Sequence, residues 1–579
     1  MIKKSLLLLG FCLLIVPVAI FAQTPVIEKS TGFEEPEDGA SKLILLKNGN
    51  TMLIHFTKND GIETTVYNAK HKKSGSVQNE IKSWRAKKMA TATLEGLFDI
   101  NGDVVAFMTQ MVNRTPTLFR LTFDGKTGKL KSEDVVSETN RLGLGAGYSM
   151  LFGQVDEPGF IVRKDPESEY YAVATYNSFT HDKNERVKVT HYSPEHQVLN
   201  EAYYESPENK FKYLKIEDMY VRGDEFVFVT SFSYNTITSG GKQSRVMVSR
   251  LTKGEKEFKS EYLSGSSSTV EPLVALKYQP ANKQLYMLSA LSAKSLNMDY
   301  TMWTSKVNFV LKLNVIDPVA LKIGKEIYIN HPGLNNYAKD RLGYKKHYYG
   351  VIQDFRIHDD GSLTLMFEEL DAQIKQSEQR YFNPTGNNVG FSNVATSTAS
   401  VSTGRMSAVM TKLGDMGIVR LSAEGKELPG SYAIAKRQMA YSWLNPYYVY
   451  ERSNGGFNFK KGFFGKSPND GFFSFDCVYS GDKLLTIFND NPQNMDEDNE
   501  SYKGKKTMKF MGDANTVLAW EEGGTVKKIY LFGDPGKKDE ARFCKMEMNA
   551  FSADKKTLAT MLIERKGKEK RAYLAWMQF

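Results

Sequence analysis

One short pattern recurs eight times along this chain and limits what it can fold into. A run of alternating apolar residues meets a polar turn of Gly, Asn or Asp, and a second apolar run follows. The clearest copy spans 352–369. Phe355 and Ile357 alternate, Asp359-Asp360-Gly361 turns, and Leu363, Leu365 and Phe367 alternate again. The other copies fall at 43–56, 97–108, 160–173, 219–228, 274–288, 475–487 and 546–563. Alternation with a period of two puts one side of each run in a core and the other outside it. Gly, Asn and Asp stand at the turns because tight hairpins require positive φ, which these residues tolerate.

A third apolar run follows most pairs, as at 118–123, 187–192, 246–251, 309–313, 418–421, 517–520 and 573–577, and several continue into a more polar fourth. One such sheet cannot cover both of its faces, whereas a ring of sheets lets each cover its neighbour. The pattern therefore predicts an all-β chain: a β-propeller of seven or eight blades, each a three- to four-stranded antiparallel sheet. The last unit ends at its third strand, so residues 24–47 are expected to return and clasp the ring. Tandem β-sandwiches are the alternative. An outer-membrane barrel fits less well, because the strand pairs are short and separated by long charged loops. The chain resembles β-propeller repeat proteins in general and, more loosely, uncharacterised secreted propeller-like proteins of Bacteroidota-type bacteria. No Trp-Asp repeat ending, paired-Gly kelch signature or Ser-x-Asp box assigns it to a named propeller family.

The first 22 residues read as a cleavable signal peptide. Lys3 and Lys4 precede an apolar run to Ile20, and Ala22 offers a small residue before Gln23. The mature protein is expected to be exported, to the periplasm, the outer-membrane surface or the medium. No later stretch is apolar enough to span a membrane as a helix. The 76 basic and 67 acidic residues are interspersed, without the basic tracts that grip nucleic acid. Beyond the leader only Cys477 and Cys544 remain. They read as small apolar strand residues, although an exported chain permits a disulfide between them.

Residues 23–579 form one propeller domain in this reading, with two notable insertions. Residues 383–407 are rich in Gly, Ser, Thr and Asn and read as a flexible loop. Residues 436–471 carry many aromatics, and an earlier connection, 330–349, holds His331, Tyr337, Tyr344 and Tyr348. Such aromatics serve either as stacking platforms or as the private core of an insertion. Loops joining second to third strands and blade to blade emerge on one face of a propeller. The long connections of the fifth to seventh units are all of these two kinds, so they should converge on one sector. The candidate ligand-stacking residues there are Tyr441, Trp443, Tyr447 and Tyr448.

No sequence motif for catalysis is present. The chain lacks a phosphate-binding glycine loop, a His-Glu-x-x-His helix and a Gly-x-Ser-x-Gly elbow. Asp496, Asp498 and Glu500 alternate but lack the turn glycine and late glutamate of a calcium loop, so no metal site is expected. Glu368 and Glu369 are adjacent on a strand and point to opposite sides. No cofactor is called for. The reading is a non-catalytic binding or scaffold module whose partner is a glycan, a peptide or an envelope protein. A carbohydrate-active propeller, a glycosidase or lyase, is the alternative.

Overall fold

In the computed structural model the eight units become eight antiparallel sheets. The structure describes residues 25–36, 39–57, 61–83, 92–143, 158–205, 210–235, 244–263, 272–292, 309–376, 407–440, 444, 446–458, 473–495, 506–509, 511–536 and 540–579. In blades 1 to 7 four strands pair in chain order from the axis outward. The inner strands are Ala40–Leu45, Thr93–Ile100, Gly159–Lys164, Tyr213–Arg222, Leu273–Gln279, Val351–Ile357 and Phe475–Ser480. Blade 8 is built differently. Its inner strand is Glu540–Cys544, followed outward by Thr557–Lys566 and Glu569–Gln578, and its outermost strand, Val26–Lys29, comes from the other end of the chain.

That last pairing closes the ring. Val26 lies opposite Gln578 and Lys29 opposite Ala575, and a further bridge joins Phe33 to Ala572. The clasp is thus shorter than the expected 24–47, because Ala40–Leu45 already serves as the inner strand of blade 1. Eight blades settle the seven-or-eight count, and the closed ring excludes the tandem sandwiches.

Local sequence explains the hairpins. In blade 2 the turn Asn101-Gly102 has φ of 54° and 74°, so both central residues take the left-handed conformation of a tight two-residue hairpin. Apolar contacts then seal the ring between neighbours. Ile54 and Val66 of blade 1 pack with Ala106 and Leu121 of blade 2. Phe107 of blade 2 packs with Tyr171 and Val173 of blade 3. The series ends with Leu43, Leu53 and Tyr67 of blade 1 against Met561 and Trp576 of blade 8.

Three expectations change. The eighth unit does not begin at Met546: residues Met546–Met548 form a 3-10 turn, and their buried side chains mimic the pattern of a strand. The connection 330–349 contains a helix, α1 (Pro332–Leu342), with Pro332 in its first turn and Gly343 closing it at φ 75°. The strands Leu363–Gln376 and Ser407–Leu421 of blade 6 run far beyond the blade as a long hairpin, where a long connection between second and third strands was expected. Most of the predicted flexible segment 383–407 lies outside the described residues. Because the strands alternate in direction, connections from second to third strands leave the ring at the edge where the inner strands begin. This is the insertion face; the first turns of the blades lie on the opposite, hairpin face.

Candidate functional site

The described residues 446–458 of the aromatic-rich insertion run into the axis. This part holds a two-residue-lined turn at Pro446 and Tyr447, the short helix α2 (Tyr448–Ser453), and a strand, Phe457–Asn458. Polar groups of α2 and of Tyr447 before it reach strands of several different blades. The amide of Tyr447 donates to the Ile352 carbonyl of blade 6 (3.0 Å), and its hydroxyl to Leu288 O of blade 5 (2.9 Å). The Tyr450 hydroxyl donates to Asp218 Oδ2 of blade 4 (2.8 Å), with Leu276 O of blade 5 at 3.0 Å. Glu451 accepts from Arg163 Nη2 of blade 3 at 3.0 and 2.9 Å. Arg452 donates to Phe475 O (2.8 Å) and Asp476 Oδ1 (2.5 Å) of blade 7. Finally Phe457 and Asn458 pair with Leu94 and Thr93 of blade 2. Six of the eight blades thus meet this one segment.

Two hydrogen-bonded networks hold the plug. In the first, Asp218 is fully buried and accepts from Arg163 Nε (3.1 Å), the Tyr450 hydroxyl and the Leu276 amide (2.8 Å). A buried carboxylate needs this many donors, because an unpaired one would be prohibitively costly. A bulge between Ile216 and Asp218 in the inner strand turns that carboxylate to the axis, and blade 6 has a matching bulge before Asp354. The second network starts at the fully buried ion pair of Lys436 and Glu368. The Tyr448 hydroxyl donates to Glu368 Oε2 (2.7 Å) and accepts from Ser474 Oγ (3.1 Å). Ser474 accepts in turn from Arg452, and Asp476 accepts from Asn549 of blade 8 (2.6 Å). Burial, opposed by the Glu368 charge, holds the Lys436 ammonium below the ordinary lysine range.

The Glu451 side chain remains 51 % exposed although it sits on α2. Lys277 and Asp354 form an ion pair at 2.5 Å and are about a quarter and a fifth exposed (24 and 20 %). The Lys277 ammonium lies 5.3 Å from the Tyr450 ring centre.

The sequence-predicted stacking residues divide. Tyr441 and Trp443 lie outside the described residues. Tyr447 is 4 % exposed and packs among the residues between blades 5 and 6, so its ring has no open face for a ligand. Its φ of 62° is unusual for a non-glycine residue, and the buried ring and two hydrogen bonds hold it there. Tyr448 is half-buried and engaged with Glu368. The aromatics of the earlier connection form a private core: Tyr344 donates to Asp415 Oδ2 and Tyr348 to the Asp415 carbonyl. Cys477 and Cys544 are free thiols, and burial pushes both up to about 12. Glu368 proves to be a buried ion-pair partner, and Asp360 accepts from the Ser362 amide (2.9 Å) as a turn residue. Among the described residues no group of His, Cys, Asp and Glu could hold a metal ion. No helix among them is long and apolar enough to cross a membrane.

No protein-family model matches the chain, and no curated protein matches it. Solved structures similar to it are distant. The polysaccharide lyase Uly1 is 11 % identical, with 94 % of this chain and 91 % of that chain covered, at a TM-score of 0.35. The quinohemoprotein alcohol dehydrogenase from Comamonas testosteroni is 9 % identical, with 96 % and 77 % covered, at 0.35. The β-propeller domain of the Trilobed protease from Pyrococcus furiosus is 8 % identical, with 84 % and 95 % covered, at 0.30. Likeness at this level carries no argument about chemistry, and the eight-bladed fold rests on the strand order itself.

Proposed function

We propose that this chain is an exported, non-catalytic propeller that binds or scaffolds a glycan, a peptide or an envelope protein. One observation carries the reading. Carboxylates do converge on the axis, but Asp218, Asp354, Glu451 and Asp476 are each paired with Arg163, Lys277 or Arg452, and the chain's own helix fills the space between them. A general acid or base must be free to exchange a proton with a substrate, and groups tied into ion pairs that hold a plug are poorly placed for it. The working surface is then a face of the ring. Tyr441, Trp443 and the half-buried Tyr448 are the stacking residues of this proposal; Tyr447 is withdrawn from the set.

The test is capture of envelope glycans and cell-wall fragments by the mature protein and by Trp443→Ala. Binding lost at an unchanged melting temperature supports the reading. The enzyme alternative draws on the half-exposed Glu451 carboxylate. Release of new reducing ends or unsaturated sugars from a polysaccharide panel, abolished in Glu451→Gln, would establish it and overturn the non-catalytic assignment. Export is tested by N-terminal sequencing of secreted material, which should begin at Gln23.

A further inference from the structure

The cleft between blades 6 and 7 on the hairpin face has a feature not found at the plugged end of the axis. Arg356, Thr364 and Arg420 lie side by side on the first three strands of blade 6: Arg356 opposes Thr364, and Thr364 opposes Arg420. Directly opposed residues share one side of a sheet, so both arginines leave blade 6 on the side that faces blade 7, with α-carbons about 10 Å apart. Thr364 is buried between them, and its Oγ1 lies 2.7 Å from the Tyr479 hydroxyl of blade 7 and 2.9 Å from His358 Nε2. The Arg356 guanidinium stacks on the Tyr479 ring, 4.2 Å from its centre. Both arginines are exposed, and among the described residues neither has a carboxylate within ion-pair distance.

The acids of this neighbourhood are committed elsewhere. Asp360 caps its own turn through the Ser362 amide, Asp359 lies 3.4 Å from Gln279 Nε2, and Asp354 is paired with Lys277. His358 adds no charge of its own at neutral pH: burial and then the Arg356 charge hold it below the ordinary histidine range. Lys555 of blade 8, in a turn with φ 55°, stands exposed within electrostatic range of Lys277 and Arg356, with Asp354 and then Glu167 as the opposing charges. Two like charges held next to each other repel unless an anion joins them. Stacking on Tyr479 fixes the plane of one guanidinium and leaves its outer N–H groups directed at the cleft. We propose that Arg356 and Arg420, positioned by Tyr479 and Thr364, form a binding site for an oxyanion group: a carboxylate, sulfate or phosphate borne on a small ligand or on a chain end. The site deepens the binding-module reading and rests on it.

Titration calorimetry of the mature protein with sodium sulfate, sodium phosphate and sodium glucuronate, against glucose at matched ionic strength, tests the assignment. Saturable binding of at least one anion and none of glucose is expected. Sulfate or phosphate binding alone points to an inorganic or ester source, and glucuronate binding to an acidic sugar. Arg356→Gln and Arg420→Gln should each weaken binding about tenfold or more, the loss of one charge-assisted contact. The double variant should abolish it, and Lys426→Gln should leave it unchanged. Melting curves check that the variants fold. If they do not, Arg356→Lys and Arg420→Lys keep the charge and should lose affinity while folding. Absence of saturable anion binding by the unmodified protein, or undiminished binding by the folded double variant, overturns the site. Capture of a neutral envelope ligand with no anion binding would sink this inference alone and leave the binding-module reading standing.

Discussion

In the axis, both charges that α2 brings have a partner: Glu451 meets Arg163 and Arg452 meets Asp476. On the hairpin face, between blades 6 and 7, Arg356 and Arg420 stand together with no carboxylate partner among the described residues. The first region uses charge to fix the protein's own chain, and the second leaves charge unspent. Buried ionic groups must be satisfied internally, because removal from water penalises each of them heavily. Exposed groups carry no such requirement, so an unpaired pair held by stacking can be kept for a ligand. The comparison separates a structural end of the ring from an end available for recognition.

The largest expected effect breaks the structural end. Glu368→Ala leaves the Lys436 ammonium buried and unpaired and should cost about 3–5 kcal/mol in urea unfolding. Combining Glu368→Leu with Lys436→Met removes both charges and should recover most of that loss. If the single variant is as stable as the parent, the pair is not buried as described.

Next in size is Tyr450→Phe, which deletes a hydroxyl donating to the fully buried Asp218. A hydrogen bond to a charged group is worth about 1.5–3 kcal/mol, and anion binding at Arg356 and Arg420 should not change. A change in anion affinity would mean that the two regions are coupled.

The last effect is a slope of stability above neutral pH. Lys42 of blade 1 is buried and donates to the Glu547 carbonyl (2.9 Å); burial lowers it to about 8 from an ordinary 10.5. Between these values the unfolded chain holds a proton that the folded chain has released. The residue therefore adds stability as pH rises from about 8 to 10.5. Lys42→Met should flatten the wild-type rise in that window, measured as the difference between the two denaturation curves. Parallel curves would show that Lys42 titrates normally.

The ring was legible in the sequence because its signals are local. Alternation around turns such as Asn101-Gly102 and Gly223-Asp224 marks a hairpin wherever it occurs, and all eight blades could be located from such turns. The plug was not legible, although its aromatics stood out. A six-residue helix such as Tyr448–Ser453 is too short to show periodicity. Its partners Arg163, Asp218, Leu276 and Asp476 lie on four blades, and no spacing along the chain signals their meeting. Tyr447 attracted a binding role for the same property, a large ring with a polar tip, that suits it to the axial core. The first strand of blade 8 was misplaced because the buried Met546 and Met548 carry the apolar spacing of a strand on a 3-10 turn. The two arginines went unremarked because Arg356 and Arg420 are 64 positions apart and are joined only through Thr364.

The central claim is that the insertion fills the ring's own axis. A photo-crosslinking phenylalanine analogue at position 450, activated in the folded protein, tests it most directly. The account predicts adducts with two separate peptides, the inner strands Tyr213–Arg222 of blade 4 and Leu273–Gln279 of blade 5, identified by mass spectrometry. Adducts confined to residues 436–471 or to the adjoining blades 6 and 7 would place the insertion outside the axis and contradict the account.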